Sequence, residues 1–131
     1  MTYQRHATHW KKLAQRDWKT VCGLFEIKRY DACLFFCHLT LEKFLKGLVT
    51  LYTKQHPPYI HDLERLAVMA NLSLTSSHIN DLKAISAFNI AGRYSDYKFV
   101  FYKKCTRAYS EKYLLKTKHL MICLKKFYPK H

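Results

Sequence analysis

The chain has 131 residues, of which 49% are apolar, 3 are Gly and 3 are Pro. This composition excludes a disordered protein, and together with the length it predicts one helical domain over residues 1–131. Its net charge of +14 favours association with phosphate-bearing partners. The sequence has no run of 18 apolar residues, and its N-terminus lacks the apolar core of a signal peptide. We therefore expect a cytoplasmic protein without a membrane span and with reduced thiols at its five Cys.

Residues 8–28 are predicted to form the first helix, because apolar side chains from Trp10 to Phe25 recur at steps of three and four. A short polar break at residues 28–30 ends this helix. Since the connection is so short, we expect the first two helices to lie side by side and antiparallel.

Residues 31–54 are predicted to form a second helix that is apolar around most of its circumference and is therefore buried between other helices. One polar stripe interrupts it: His38, Glu42 and Lys46 are spaced four apart and share one side, with Lys43 beside them. This stripe is either an internal ion-pair network or the wall of a binding site. Because one small bundle can leave apolar surface of this helix uncovered, the pattern also predicts a homodimer.

The second helix must end before Pro57-Pro58, since two successive prolines cannot continue a helix. Asp62 is placed to begin a short third helix, where an acidic side chain is favoured. The neighbouring His61 is either an exposed imidazole next to this cap or part of a polar cleft shared with the second helix.

The fourth helix is expected at residues 77–91, with Thr75 or Ser76 as its cap. Arg93-Tyr94 follow it, and this arginine either caps helix carbonyls or binds phosphate. Residues 98–102 are predicted as extended chain or loop, and residues 104–127 as the final helix. The architecture is thus all-α, an up-and-down helical bundle of four long helices plus one short helix.

The C-terminal quarter of the chain is strongly basic, with ten Lys and Arg and one acid in residues 98–131. Lys112, Lys116 and Lys118 on the last helix form either a solvated outer face or a surface for nucleic acid or an acidic partner. The His and Cys spacings do not match a four-ligand metal pattern, and no Gly-rich phosphate loop occurs. We therefore predict no metal and no cofactor.

Three segments in this order resemble the HEPN domain family: HLTLEKFLKGL at His38–Leu48, HDL at His61–Leu63 and IAGRYSDY at Ile90–Tyr97. The resemblance covers nearly the whole chain. It implies an all-α bundle that is frequently a homodimer. It also implies a minimal nucleotidyltransferase as a partner, commonly in a toxin–antitoxin pair. Some members are proposed to bind nucleotides, and others are metal-independent ribonucleases.

Carried over by position, the resemblance implies a nucleotide or partner cleft lined by His38, Glu42, Lys43, Lys46, His61, Asp62, Arg93 and Tyr94. The nuclease branch requires a His that is separated from its Arg by four to six residues, but position 98, the first of this window after Arg93, is Lys, and the next His is His119. A lysine does not easily replace an imidazole that titrates near neutral pH. No catalytic residue is therefore predicted, and a binding module for a nucleotide or partner is the leading interpretation. The alternatives are a ribonuclease that combines Arg93 with another His, such as His61, and a basic RNA- or DNA-binding module.

Overall fold

The computed structural model describes residues 2–130, and at residues 95 and 96 it describes the backbone alone. This part of the chain forms seven helices and no strand, which confirms the all-α bundle. The helices are α1 (Tyr3–Glu26), α2 (Tyr30–Thr53), α3 (Leu63–Met69), α4 (Ser76–Ser86), α5 (Phe88–Arg93), α6 (Ser95–Lys104) and α7 (Arg107–Lys125). Within the same residues, no helix is both long enough and apolar enough to cross a membrane.

α1 and α2 are antiparallel, as the short connection predicts. Near the turn, the Cys33 thiol donates to the carbonyl oxygen of Val21 at 3.5 Å. At the far end of the pair, the Lys54 ammonium lies 5.6 Å from the ring centroid of Tyr3. Contacts at both ends show that the two helices run alongside each other over their whole length.

α2 is the central helix of the bundle and packs against α1, α3, α5 and α7. Leu34, Leu41, Phe44 and Leu45 on α2 are completely buried. Burial of such side chains is the main favourable contribution to folding. The other helices of the same chain therefore cover most of the apolar surface of α2, where the sequence suggested an excess.

Side-chain caps define where four of the helices begin. Thr2, Asp62, Thr75 and Thr106 each accept a hydrogen bond from a backbone N–H of the first turn that follows. Asp62 is thus the predicted cap of α3, and Thr75 is the cap of α4. Because Thr2 already caps α1, this helix begins at Tyr3, earlier than the apolar periodicity alone indicated.

The segment between the fourth predicted helix and the last one differs from the expectation. The fourth helix is divided at Ala87 into α4 and α5. The prediction of extended chain or loop at residues 98–102 is wrong, because these residues belong to α6. Phe101 and Cys105 anchor this segment in the core, while the apolar side chains at 97, 99, 100 and 102 are exposed. A helix with apolar residues on several sides has no periodic pattern by which the sequence could reveal it.

Candidate functional site

A polar network centred on Glu42 lies against the side of α2 that faces the loop before α3. Its Oε1 accepts a hydrogen bond from His61 Nδ1 at 2.8 Å, and its Oε2 accepts one from Lys46 Nζ at 3.0 Å. The Glu42 side chain is only 8% exposed. The spacing of four places Glu42 and Lys46 on one side of α2, so α2 and the loop together build the network.

The electrostatics of the network keep Glu42 ionised. Burial raises the pKa of this carboxyl, but the hydrogen bonds from His61 and Lys46 outweigh the burial, and the pKa of Glu42 lies below its ordinary value. The site therefore holds a carboxylate whose charge is balanced by Lys46 and which can orient an imidazole.

His38 lies one turn before Glu42 and is completely buried. Its Nε2 is 2.9 Å from the carbonyl oxygen of His61, and since a carbonyl only accepts, Nε2 carries the proton. Among the described residues, Nδ1 of His38 is buried without a hydrogen-bond partner. Burial lowers the pKa of His38, so the imidazole is held in its neutral form.

His61 is held at two atoms, which orients its ring. Its Nδ1 donates to Glu42, and its carbonyl oxygen accepts hydrogen bonds from His38 and, at 3.4 Å, from Ser86 Oγ. The His61 side chain is still 45% exposed. With Nδ1 as the donor to a carboxylate, Nε2 of the neutral ring is an acceptor. The arrangement can thus present a proton acceptor to a ligand.

Arg93, the last residue of α5, is fixed by two contacts. Its Nε donates to Asn89 Oδ1 at 2.7 Å, and its guanidinium lies 5.3 Å from the ring centroid of Phe35 on α2. The bond to Asn89 uses one of its five N–H donors. Arg93 therefore does not cap the helix through this bond, and its planar group is held in one orientation beside α2.

A cleft of about 440 Å³ opens between the start of α3 and the α4–α5 segment. Its volume lies within the usual range for small-molecule sites. Sequence reasoning identified two of the lining residues, but it missed Asn89 and Ser86; the only available signal was the spacing of four between Asn89 and Arg93. The lining residues are His61, Asp62, Glu64, Lys83, Ser86, Ala87, Asn89 and Ile90.

The structure brings together His38, Glu42, Lys46 and His61, but it places other predicted cleft residues elsewhere. Lys43 forms an ion pair with Asp17 of α1. Adjacent helix residues are about 100° apart, so Lys43 faces a different neighbour from Glu42.

Two further residues predicted for the cleft, Asp62 and Tyr94, differ in their surroundings. Asp62 caps α3 through the backbone N–H of Arg65 and lines the cleft. Tyr94, which follows α5, has a side chain that is 57% exposed.

The three lysines singled out on the last helix do not share one surface. Lys116 forms an ion pair with Asp81 of α4 at 2.9 Å, whereas Lys112 lies over the ring of Tyr113. Lys118 is two residues beyond Lys116 and therefore about 200° further around α7. Within residues 2–130, no group of three or more His, Cys, Asp or Glu side chains is placed to hold a metal ion.

These features define a small all-α protein with a polar network on its central helix and an open cleft between the start of α3 and the α4–α5 segment. The model of the HEPN domain matches residues 7–126, so the chain belongs to the HEPN family and the resemblance seen in the sequence is confirmed. Membership in this family supports a nucleotide- or RNA-related module.

The fold is similar to that of TT1696 from Thermus thermophilus, a protein whose crystal structure is known. The TM-score is 0.78 at 18% sequence identity, and the match covers 92% of this chain and 97% of that one. At this identity the likeness shows the fold alone. No curated protein matches the sequence.

Proposed function

We propose that this chain is a non-catalytic HEPN-type module that binds the phosphate of a nucleotide at the cleft between α3 and the α4–α5 segment. The observation that carries the proposal is the fixed position of Arg93. Its neighbour Asn89 both bonds to Arg93 Nε and lines the cleft, so this cation is held next to a cavity of suitable size. A guanidinium matches the geometry of phosphate oxygens, and pre-orientation reduces the entropy lost on binding.

The Glu42 network supports this proposal because it limits repulsion of an anionic ligand. Lys46 balances the charge of Glu42, and His61 lies between that carboxylate and the cleft, which it also lines. Lys83 on α4 is the cation among the lining residues, and it lies 3.7 Å from Glu64, which lines the cleft together with Asp62. The overall charge of +14 further attracts anions to the protein.

Calorimetry with AMP, ATP and GTP at millimolar concentration tests the nucleotide proposal. We expect measurable binding to the native chain and a loss of at least roughly tenfold in affinity for Arg93→Ala, because a charged hydrogen-bond pair is removed. Arg16→Ala is the matched control, since Arg16 is an exposed arginine on α1. Absence of heat with all three nucleotides, or equal losses in the two variants, would contradict the proposal.

We further propose that the module works with a minimal nucleotidyltransferase in a two-component, toxin–antitoxin-like system. This part rests on the family resemblance. Co-purification of the chain from its native host, followed by mass spectrometry, should identify a small nucleotidyltransferase in the eluate. Recovery of the chain without such a protein would remove the partner from the proposal and leave a stand-alone binding module.

A metal-independent ribonuclease is a second candidate, favoured by the 2.8 Å hydrogen bond between His61 Nδ1 and Glu42. A carboxylate that orients an imidazole is an established arrangement for a general base. His61 Nε2 would take the proton of a ribose 2′-hydroxyl. The resulting alkoxide would attack the adjacent phosphorus while the P–O5′ bond breaks. The leaving O5′ would take up a proton from solvent water, the product would carry a 2′,3′-cyclic phosphate, and Arg93 would balance the charge on the phosphate.

Incubation of RNA with the chain in the presence of a chelator tests the second candidate. Cleavage that is lost in both His61→Ala and Arg93→Ala, and kept in His119→Ala, would support it. His119 is an exposed histidine on α7 and serves as the control. RNA that stays intact after long incubation would eliminate the ribonuclease and favour the non-catalytic module.

A further inference from the structure

Another cavity, of about 280 Å³, lies between the α4–α5 segment, the end of α6 and the start of α7. Its walls carry four aromatic rings, of which Phe88 and Phe101 are buried in the core and Tyr109 and Tyr113 are partly buried. Three other lining residues are alanines, whose small side chains leave the space open. The lining residues are Ala84, Ala87, Phe88, Ala91, Phe101, Lys104, Tyr109 and Tyr113.

The four rings form one connected cluster. The ring of Phe88 is edge-on to Tyr113, with centroids 5.1 Å apart, and its centroid is 5.4 Å from that of Phe101. The centroids of Tyr109 and Tyr113 are 5.0 Å apart. Aromatic pairs at such separations gain stabilisation beyond the burial of their area. A planar ring in the cavity can therefore form the same kind of contact, whereas an aliphatic ligand would gain burial alone.

The cavity also offers a cation and a hydrogen-bond donor. Among the described side chains that line it, Lys104 carries the only charge, and its ammonium is held 5.3 Å from the ring centroid of Tyr109. Burial raises the pKa of Tyr109 to about 12, so its hydroxyl stays protonated at neutral pH and can donate a hydrogen bond. An ammonium and a hydroxyl donor together suit a carboxylate.

The size of the cavity limits the ligand further. A cavity of about 150 Å³ is large enough for benzene, so about 280 Å³ has room for one aromatic ring with a substituent. The volume lies just below the range of about 300–1,000 Å³ that is usual for drug-sized ligands. A single cation matches one carboxylate better than the several charges of a phosphate chain. The complementary ligand is thus small, aromatic and singly charged.

We propose that this cavity binds a small aromatic carboxylate, whose ring packs among the four aromatic side chains while its carboxylate pairs with Lys104 and accepts a hydrogen bond from Tyr109. The cavity shares Ala87 with the cleft next to α3, but none of the residues to which the nucleotide proposal assigns a role. The two sites therefore take different ligands, and either proposal can fail without affecting the other.

Calorimetry and ligand-observed NMR with the full chain and benzoate test the proposal. Two further probes separate the ring from the charge, because benzamide keeps the ring without the charge and cyclohexanecarboxylate keeps the charge without the aromatic ring. We expect saturable binding of benzoate at concentrations up to about 1 mM. Affinity should be roughly tenfold weaker for benzamide and at least roughly threefold weaker for cyclohexanecarboxylate.

Two substitutions locate the site. Ala84→Leu fills the cavity and should weaken benzoate binding at least roughly tenfold. Its matched control, Ala108→Leu, places the same side chain at an exposed position of α7 and should leave the affinity unchanged. Lys104→Gln should lower the affinity for benzoate to that for benzamide without weakening benzamide. Lys103→Gln is the control for this variant, because Lys103 lies over the ring of Phe99 and is not among the lining residues.

Circular dichroism checks that each variant is folded. Absence of benzoate binding would overturn the proposal, and so would wild-type affinity in the folded Ala84→Leu variant. Equal affinity for benzoate and benzamide would also contradict it, because the cavity would then recognise no charge. Equal losses in Lys104→Gln and Lys103→Gln would overturn it as well, since benzoate would then respond only to the overall charge of +14.

Discussion

Glu42 joins two parts of the chain that are distant in sequence, because its two carboxylate oxygens are bonded to Lys46 on α2 and to His61 before α3. Such a carboxylate contributes to stability only while its partners stay in place. Burial of a charge is costly when the charge is unpaired. The contribution of Glu42 to the free energy of unfolding is therefore best measured with a substitution that removes only its charge.

Replacing Glu42 with Gln should lower the free energy of unfolding at pH 7 by about 3 kcal/mol, because the buried Lys46 loses its counter-charge. Urea denaturation followed by circular dichroism measures this change. Glu111→Gln, at an exposed position of α7, is the control and should change stability by less than about 0.5 kcal/mol. Similar values for the two variants would mean that the charge of Glu42 contributes little.

His38 should make stability depend on pH. Burial lowers the pKa of His38 from its ordinary value of 6.5, so the unfolded state binds the proton more readily than the folded state. The stabilising contribution is therefore complete above pH 6.5 and is lost as pH falls through the lowered pKa. The lowered pKa of Glu42 adds a further loss at more acidic pH.

We expect the free energy of unfolding to decrease when pH is lowered from 7 to about 5, and His38→Gln to flatten this decrease. Denaturant titrations at several pH values provide the measurement. His119→Gln, on the exposed face of α7, should retain the wild-type dependence. A slope that His38→Gln leaves unchanged would assign the pH dependence to other groups.

The packing of whole helices depends on Gly47, which lies at the crossing of α2 with α1 and the segment after α7. A Cβ at this position would collide with Tyr128 Oη and would lie 3.1 Å from both the carbonyl oxygen of Ala7 and Cβ of Trp10. Tyr128 Oη itself donates to the carbonyl oxygen of Phe44 at 2.6 Å. The absent side chain thus allows three segments to approach closely.

Gly47→Ala and Gly23→Ala should change stability in opposite directions. The first should cost about 2 kcal/mol because Tyr128 must move and its hydrogen bond is disturbed. The second should stabilise α1 by about 0.5–1 kcal/mol, since a Cβ at Gly23 meets nothing within 4 Å and alanine is the better helix former. Thermal and urea unfolding of both variants measure the pair, and changes of the same sign would refute this account of the helix crossing.

The whole molecule carries a charge of +14, which shapes how it associates. A homodimer remains a prediction that rests on the family, because most apolar surface of α2 is covered within one chain. Light scattering at micromolar concentration should give twice the chain mass of 15.7 kDa. The dimer fraction should increase with salt, since ions screen the repulsion between two basic chains. A clean monomer at all salt concentrations would contradict the prediction.

Local patterns determined much of this protein before any tertiary contact was known. The apolar circumference of residues 31–54 predicted the buried α2, Asp62 was recognised as a cap, and three segments indicated the family. Periodicity and capping act within a few residues, so they can be read from the chain alone.

Only the tertiary structure decided which partners the polar side chains take. It pairs Glu42 with His61 and Lys43 with Asp17. It also places Arg93 in a hydrogen bond with Asn89, a cleft residue that the sequence did not reveal. It also makes a helix of α6, whose surface has no regular apolar period. These choices depend on which helices come to lie side by side, and that arrangement minimises the free energy of the whole core rather than of any one segment.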